Sequence, residues 1–166
     1  LPKKSIPKTR HEKEESFHSK IQGMLIEIGN NEKSVESTYT NDKNCIFDNK
    51  TLGSLTTISS VPNFTFTNII KDTIQYFDVI WFNERNFPLK IFEVEHSTNF
   101  RNAFVKFMEL QDFMVKFYCI SNSEKKEKFK KELEKYAFMP IKSRCEFISY
   151  EQVESDYKVA LAKTYL

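Results

Sequence analysis

The sequence predicts an α/β domain in which helices flank a central mixed β-sheet. Three observations point there: an apolar stripe at helical spacing early in the chain, two clear strands joined by a turn-like hexapeptide, and an alternation of helix and strand after them. Residues 12–28 place Phe17, Ile21, Met24, Leu25 and Ile28 three and four apart, a helix with one buried face that Gly29-Asn30-Asn31 ends. Residues 33–76 are rich in Ser, Thr, Asn and Asp, and predict loops with short strands such as 34–40 and 54–60. Residues 73–82 and 90–95 are β-prone runs, and the turn at 83–88 between them predicts an antiparallel hairpin. His96-Ser97-Thr98-Asn99 offers N-caps for a helix carrying Phe100, Phe104, Phe107, Met108 and Gln111. Phe100, Phe104 and Phe107 share one face and read as core rather than as a platform for stacking bases. A strand at 115–120, a Lys/Glu-laced helix at 123–136, a strand at 145–149 and a helix at 150–163 complete the order.

Composition narrows the function classes. The 166 residues fit one domain, with 40% hydrophobic residues and 16 Phe to build a core. The 25 basic and 23 acidic residues leave a net charge of +2, which excludes a polybasic binder but not local basic patches. No apolar run is long enough to span a membrane, and the Lys/Pro-rich start has no signal core, so a soluble, unsecreted chain is expected. A start at Leu1 predicts a fragment of a longer protein, with residues 1–11 a flexible segment and 12–166 the single domain. Cys45, Cys119 and Cys145 are dispersed and odd in number, as expected of reduced thiols in a cytoplasm. With so few histidines, any metal would be held by oxygens.

The chemistry concentrates on the hairpin. Asp78 lies within Ile74-Gln75-Tyr76-Phe77-Asp78-Val79-Ile80-Trp81, and Glu93 and Glu95 within Ile91-Phe92-Glu93-Val94-Glu95. Strand alternation sends Glu93 and Glu95 to one face and Phe92 and Val94 to the other. A register placing Asp78 beside Glu93 makes the three carboxylates converge, and such oxygens suit Mg²⁺, which can polarise a phosphoryl oxygen and deliver a hydroxide. Glu95 would orient or deprotonate the attacking water. The same pattern also fits acids alternating outward on a half-exposed sheet.

Asp78 followed 15 residues later by Glu93-Val94-Glu95 resembles the motif of the PD-(D/E)xK nuclease superfamily, restriction endonuclease-like branch, with Glu95 where most members carry Lys. The strings Phe77-Asp78-Val79-Ile80-Trp81-Phe82, Phe92-Glu93-Val94-Glu95-His96-Ser97-Thr98 and Cys145-Glu146-Phe147-Ile148-Ser149-Tyr150-Glu151 are similar to restriction-type nucleases, as is His18-Ser19-Lys20-Ile21-Gln22-Gly23-Met24-Leu25. The resemblance implies a restriction endonuclease-like core and a Mg²⁺-dependent type II restriction-type endonuclease that hydrolyses double-stranded DNA in a prokaryotic cytoplasm. Asp78 and Glu93 would be metal ligands, and Glu95 a ligand or water-orienting base. It also implies a contribution from the first helix, for which Glu14, Glu15, His18 and Gln22 are candidates. His96, Arg101 and Lys106 are candidate DNA contacts, beside an ordinary exposed helix face as the plainer reading. His96 is expected on the face opposite Glu95. Asp42 reads as an Asx-turn acid with a minor part near the site. One active site per chain implies a homodimer on duplex DNA, and specific recognition is expected from an upstream portion. The competing readings are a catalytically silent nuclease-like domain for DNA binding or protein interaction, and a metal-free structural module.

Overall fold

The computed structural model describes residues 6–164. Helix α1 (Arg10–Asn30) begins two residues ahead of the expected start because Thr9 closes a capping box: its hydroxyl accepts the Glu12 N–H, and the Glu12 carboxylate accepts the Thr9 N–H. Arg10 and His11 of the expected flexible segment are therefore helical, and residues 1–5 lie outside the described residues.

The Ser/Thr/Asn-rich stretch contains strand β1 (Ser37–Tyr39) and a small hairpin, β2 (Ile46–Phe47) with β3 (Lys50–Thr51). Asp48 and Asn49 turn that hairpin at φ of 51° and 63°, a left-handed pair that Asp and Asn tolerate. The strand expected at 54–60 is not formed. Thr51 instead caps the short helix α2 (Leu52–Leu55) by accepting the Ser54 N–H. Helix α3 (Thr67–Asp72) follows.

Only the second half of the strand expected at 73–82 exists, as β4 (Val79–Phe82). Ile74–Tyr76 form a 3₁₀ turn. Ile74 and Phe77, three apart, both reach the same core, which a three-residue turn allows and a pleated strand does not. Strand β5 (Pro88–Val94) pairs antiparallel with β4 as expected, across a loop in which Asn83 Oδ1 accepts the N–H groups of Arg85 and Phe87. Helix α4 (Phe100–Met108), strand β6 (Lys116–Ser121), helix α5 (Lys126–Leu133), a 3₁₀ segment (Tyr136–Arg144), strand β7 (Cys145–Ser149) and helix α6 (Tyr150–Thr164) complete the chain.

The main sheet runs β1-β4-β5-β6-β7, antiparallel through β5 and parallel from β5 to β7, so it is mixed as the sequence predicts. Side-chain alternation divides the core into two halves. Val79, Trp81, Phe92, Val94, Tyr118 and Ile120 meet α1 and α6, while Ile80, Phe82, Ile91, Phe117 and Cys119 meet α4, α5 and the 3₁₀ segment. Phe100, Phe104 and Phe107 are buried in the second half, as their spacing requires. The arrangement is consistent with a restriction endonuclease-like core. Among the described residues no helix is long and apolar enough to cross a membrane.

Two glycines let α1 lie close to its neighbours. A Cβ on Gly29 would stand 2.4 Å from Trp81 Nε1, and one on Gly23 would stand 2.2 Å from Phe47 Cδ1. Trp81 Nε1 donates to the Leu25 carbonyl at 3.2 Å, so its indole cannot retreat without losing that bond. Gly29→Ala is expected to destabilise the protein by about 2 kcal/mol net, despite alanine's better helix propensity. Thermal unfolding checks this, and an unchanged midpoint would contradict the packing.

Candidate active site

The hairpin register sets the centre of the site. Val79 pairs with Phe92, and one further step sets Asp78 opposite Glu93. Asp78 stands just ahead of β4 rather than inside it, and side chains take over the pairing there. The Asp78 N–H donates to Glu93 Oε1 at 3.1 Å, and the Val94 N–H donates to Asp78 Oδ2 at 2.8 Å. Each carboxylate is thus fixed by a backbone donor on the facing segment. Their side chains are only 13% and 12% exposed.

Glu93 continues toward α4, where Lys106 Nζ lies 2.9 Å from its Oε2. Burial, with the Asp78 charge second, pushes the Glu93 carboxyl up to about 8, and the Lys106 ammonium offsets this only in part. A closely spaced, poorly hydrated acid pair of this kind favours sharing a proton or a cation.

On the other side Asp78 meets α1. Gln22, fully buried, donates from Nε2 to Asp42 Oδ2 at 2.6 Å and to Asp78 Oδ1 at 3.2 Å. His18 Nε2 lies 3.4 Å from Asp78 Oδ2, and Thr40 Oγ1 donates to the Asp78 carbonyl at 2.6 Å. His18, Gln22 and Asp42 line a cleft of about 750 Å³ along the first half of α1, together with His96. Burial alone would lower the His18 pKa. The hydrogen bond to Asp78 and the charges of Asp78, Asp42 and Glu95 outweigh it, so the imidazole is held above its ordinary value.

The remaining candidates are more scattered. Glu95, one residue beyond β5, keeps ladder pairing through its N–H to the Ile120 carbonyl, but its Oε1 accepts from the Ser97 N–H and hydroxyl at 3.0 and 2.7 Å. It makes no hydrogen bond to Asp78 or Glu93, although its charge reaches His18. His96 lies on the α1/α6 side, its Nδ1 2.8 Å from the Tyr150 hydroxyl and its ring 5.1 Å from that of His18. It does not cap α4, whose N-cap is Asn99. Glu14 and Glu15 line the outer cleft in exposed pairs with Arg10 and His11. Arg101 is exposed on α4, whereas Lys106, on the same helix, is drawn inward to Glu93.

Asp42 is more central than its turn-like setting indicates, and Tyr150 had no role on sequence grounds. No local signal carries either placement, because the loop after β1 reaches α1 only through tertiary contact. Lys106 meets Glu93 although it follows it by 13 positions, because α4 packs against the face of the sheet that carries Glu93.

His18, Asp42 and Asp78 each offer one ligand atom, all within 4.8 Å of one another, and this donor set fits a divalent cation, with an imidazole nitrogen beside the expected oxygens. With Glu93 holding its proton the groups present balance, and ionising it leaves an unmatched negative charge that a cation would offset.

A family model described as the type II restriction enzyme NmeDI C-terminal domain matches residues 1–164. No curated protein and no solved structure matches the chain. With the match covering nearly its whole length, and with a mixed sheet carrying facing acids at its centre, the chain belongs to the family of the type II restriction enzyme NmeDI C-terminal domain.

Proposed function

We propose that this chain is a divalent-metal-dependent endonuclease of the type II restriction kind, a PD-(D/E)xK variant that hydrolyses phosphodiester bonds of double-stranded DNA. The observation that carries the reading is the reciprocal clasp of Asp78 and Glu93, two nearly buried carboxylates held facing each other by backbone donors. Asp78 and Glu93 hold the ion, which we take to be Mg²⁺. When bound, it supplies charge for the phosphoryl oxygen and lowers the pKa of a water.

The chain's own groups do the rest. Glu95, beyond the end of β5, orients the attacking water or adds a ligand oxygen. Lys106, about one-third exposed beside Glu93, presents an ammonium to the scissile phosphate, and Arg101 contacts the backbone from the exposed side of α4. His96 braces the cleft wall against Tyr150. The cleft itself carries Glu12, Glu14, Glu15 and Asp42 against Lys8, so DNA approach there depends on cations and on basic residues outside it. Two copies acting together would cut both strands. The matched family is named as a C-terminal domain, and we place sequence recognition in the portion of the enzyme that precedes it, with the whole acting in a prokaryotic cytoplasm.

Plasmid cleavage in Mg²⁺ or Mn²⁺ tests the reading, with Glu93→Ala expected to leave supercoiled DNA intact where the wild type nicks or linearises it. If the wild type leaves DNA uncut with every divalent ion tried, the catalytic reading is lost and a silent nuclease-like domain replaces it.

Lys106→Met separates the lysine's part from that of the acids. Its cleavage rate is expected to fall by roughly 10²-fold, a loss of the size seen when one transition-state charge contact is removed. A rate within threefold of the wild type would make Lys106 a counter-ion only.

A further inference from the structure

The first turns of α1 are divided by charge. Glu12, Glu14 and Glu15 line the cleft, whereas Lys13 and Lys20 line a separate groove of about 400 Å³ between α1 and the β2–β3 hairpin. Lys8 and Ser16 border both, so the groove continues the cleft around the outer flank of α1. Among the described residues, Asp48 is the one carboxylate lining the groove beside these three lysines, the reverse of the balance in the cleft.

The three ammonium groups are open to an anion. Among the described residues neither Lys8 nor Lys13 has a carboxylate partner, and Lys8 Nζ donates to Ser16 Oγ at 3.2 Å. Lys20 pairs with Glu154 at 3.5 Å, but both side chains are more than one-third exposed, and a surface pair of this kind yields to a stronger anion. Lys13 and Lys20 are seven residues apart on α1, two helical turns, which sets them about 10 Å apart along one face. That is about three base-pair steps of duplex DNA, so they can meet phosphates of one backbone.

The opposite wall of the groove is held in place. Phe47 of the hairpin packs on Gly23 of α1, and its ring centre lies 6.0 Å from that of Tyr157 on α6. The base of the hairpin is closed by the Leu52 N–H to the Cys45 carbonyl at 2.8 Å and the Gly53 N–H to the Lys43 carbonyl at 2.9 Å. Asp42, just ahead of it, is tied through the Gln22 amide to Asp78. The groove is therefore fixed relative to the facing acids instead of riding on a free loop.

We propose that this groove is a second DNA-contact surface, in which Lys8, Lys13 and Lys20 hold backbone phosphates of the duplex flanking the cut. The inference rests on the reading of DNA as the partner and adds where the chain gains affinity for it. The acidic cleft repels a polyanion until cations fill it, and contacts on its flank supply the attraction that it lacks. Arg101 and Lys106 belong to α4, on the other face of the sheet, so the two basic sets bracket the site.

Fluorescence anisotropy of labelled duplexes of about 30 and about 12 base pairs, titrated with the whole chain in Ca²⁺ over a range of salt, tests this without relying on cleavage. The wild type is expected to bind the longer duplex at least tenfold more tightly. A variant carrying Lys8→Met, Lys13→Met and Lys20→Met should lose most of that advantage and flatten the slope of log affinity against log salt by about 2–3, while binding the shorter duplex within threefold of the wild type. Methionine removes the charge and keeps an apolar stem, and circular dichroism shows whether the variant is folded. Lys13→Met alone, at an exposed position, should flatten the slope by about 1 and serves if the triple variant unfolds. Lys126→Met, Lys128→Met and Lys131→Met together, exposed on α5, are the control and should change the length advantage less than threefold. Lysine variants of the groove that keep the length advantage and the salt slope overturn the inference, and plasmid cleavage by the wild type then leaves the nuclease reading standing. A larger loss in the α5 control, or a wild type that binds neither duplex, overturns it as well. If the groove variants lose the longer duplex as expected and no divalent ion supports cleavage, the nuclease reading fails and the groove survives as the surface of a silent DNA-binding domain.

Discussion

Asp78→Asn is expected to reduce plasmid cleavage by on the order of 10³-fold or more while leaving the chain folded. Asparagine keeps the size of the side chain and one oxygen for the Val94 N–H, so the turn into β4 survives, but the negative charge that the proposed ion needs is gone. Asp78→Ala is a poorer test. It strands two donors, the Val94 N–H and an N–H of the Gln22 amide, in a nearly buried setting, at about 1–3 kcal/mol for each unmade bond. Loss of folding and loss of chemistry would then be confounded. A thermal midpoint within a few degrees of the wild type, measured beside the cleavage rate, keeps them apart for the Asn variant. An Asp78→Asn protein that cuts within tenfold of the wild type removes Asp78 from the centre of the mechanism.

Glu93→Gln is expected to do two opposite things: abolish cleavage and stabilise the metal-free protein at alkaline pH. The Glu93 carboxyl is pushed up to about 8 from 4.5 by burial first and by the Asp78 charge second. Its protonated form is therefore the one the fold favours. That contribution to stability is fully present below about 4.5 and is lost as pH rises through about 8, with a slope approaching about 1.4 kcal/mol per pH unit between them. Glutamine cannot ionise, so the variant lacks this decline and should exceed the wild type by roughly 2–4 kcal/mol at pH 8, less than the full span because the Lys106 ammonium loses its carboxylate partner. Urea unfolding in chelator at pH 5 and pH 8 reads the difference. Parallel pH dependences for the two proteins would show that Glu93 is comfortably ionised in the fold. The physical point is that the site stores unfavourable electrostatics in the absence of a cation.

Much of the architecture is legible in local pattern. The apolar spacing of α1, the Phe100–Phe104–Phe107 stripe of α4 and the β-prone run of β5 each bury one face, and each forms near where that pattern places it. The errors have local causes as well. Residues 73–78 look like strand because Ile74, Tyr76 and Phe77 are β-prone, yet the backbone there turns so that Ile74 and Phe77 share a core and the Asp78 carboxylate replaces ladder pairing. Residues 54–60 are mostly short and polar, which suits a strand edge or a loop equally; packing on α1 makes Leu52–Leu55 a helix, and the Thr57 and Ile58 N–H groups both go to the Thr38 carbonyl instead of forming a ladder.

The site divides in the same way. Sequence by itself determined that Asp78, Glu93 and Glu95 belong to one hairpin, because strand period and turn length are local properties. It also determined that His18 and Gln22 share one helix face four residues apart. Only the tertiary structure decided that α1 and the Asp42 loop fold onto Asp78 and that Lys106 comes to Glu93 from the opposite face of the sheet. The reason is physical: periodicity reports which face a residue occupies, whereas the direction a charged side chain takes is set by which partners the packed layers bring within hydrogen-bonding distance.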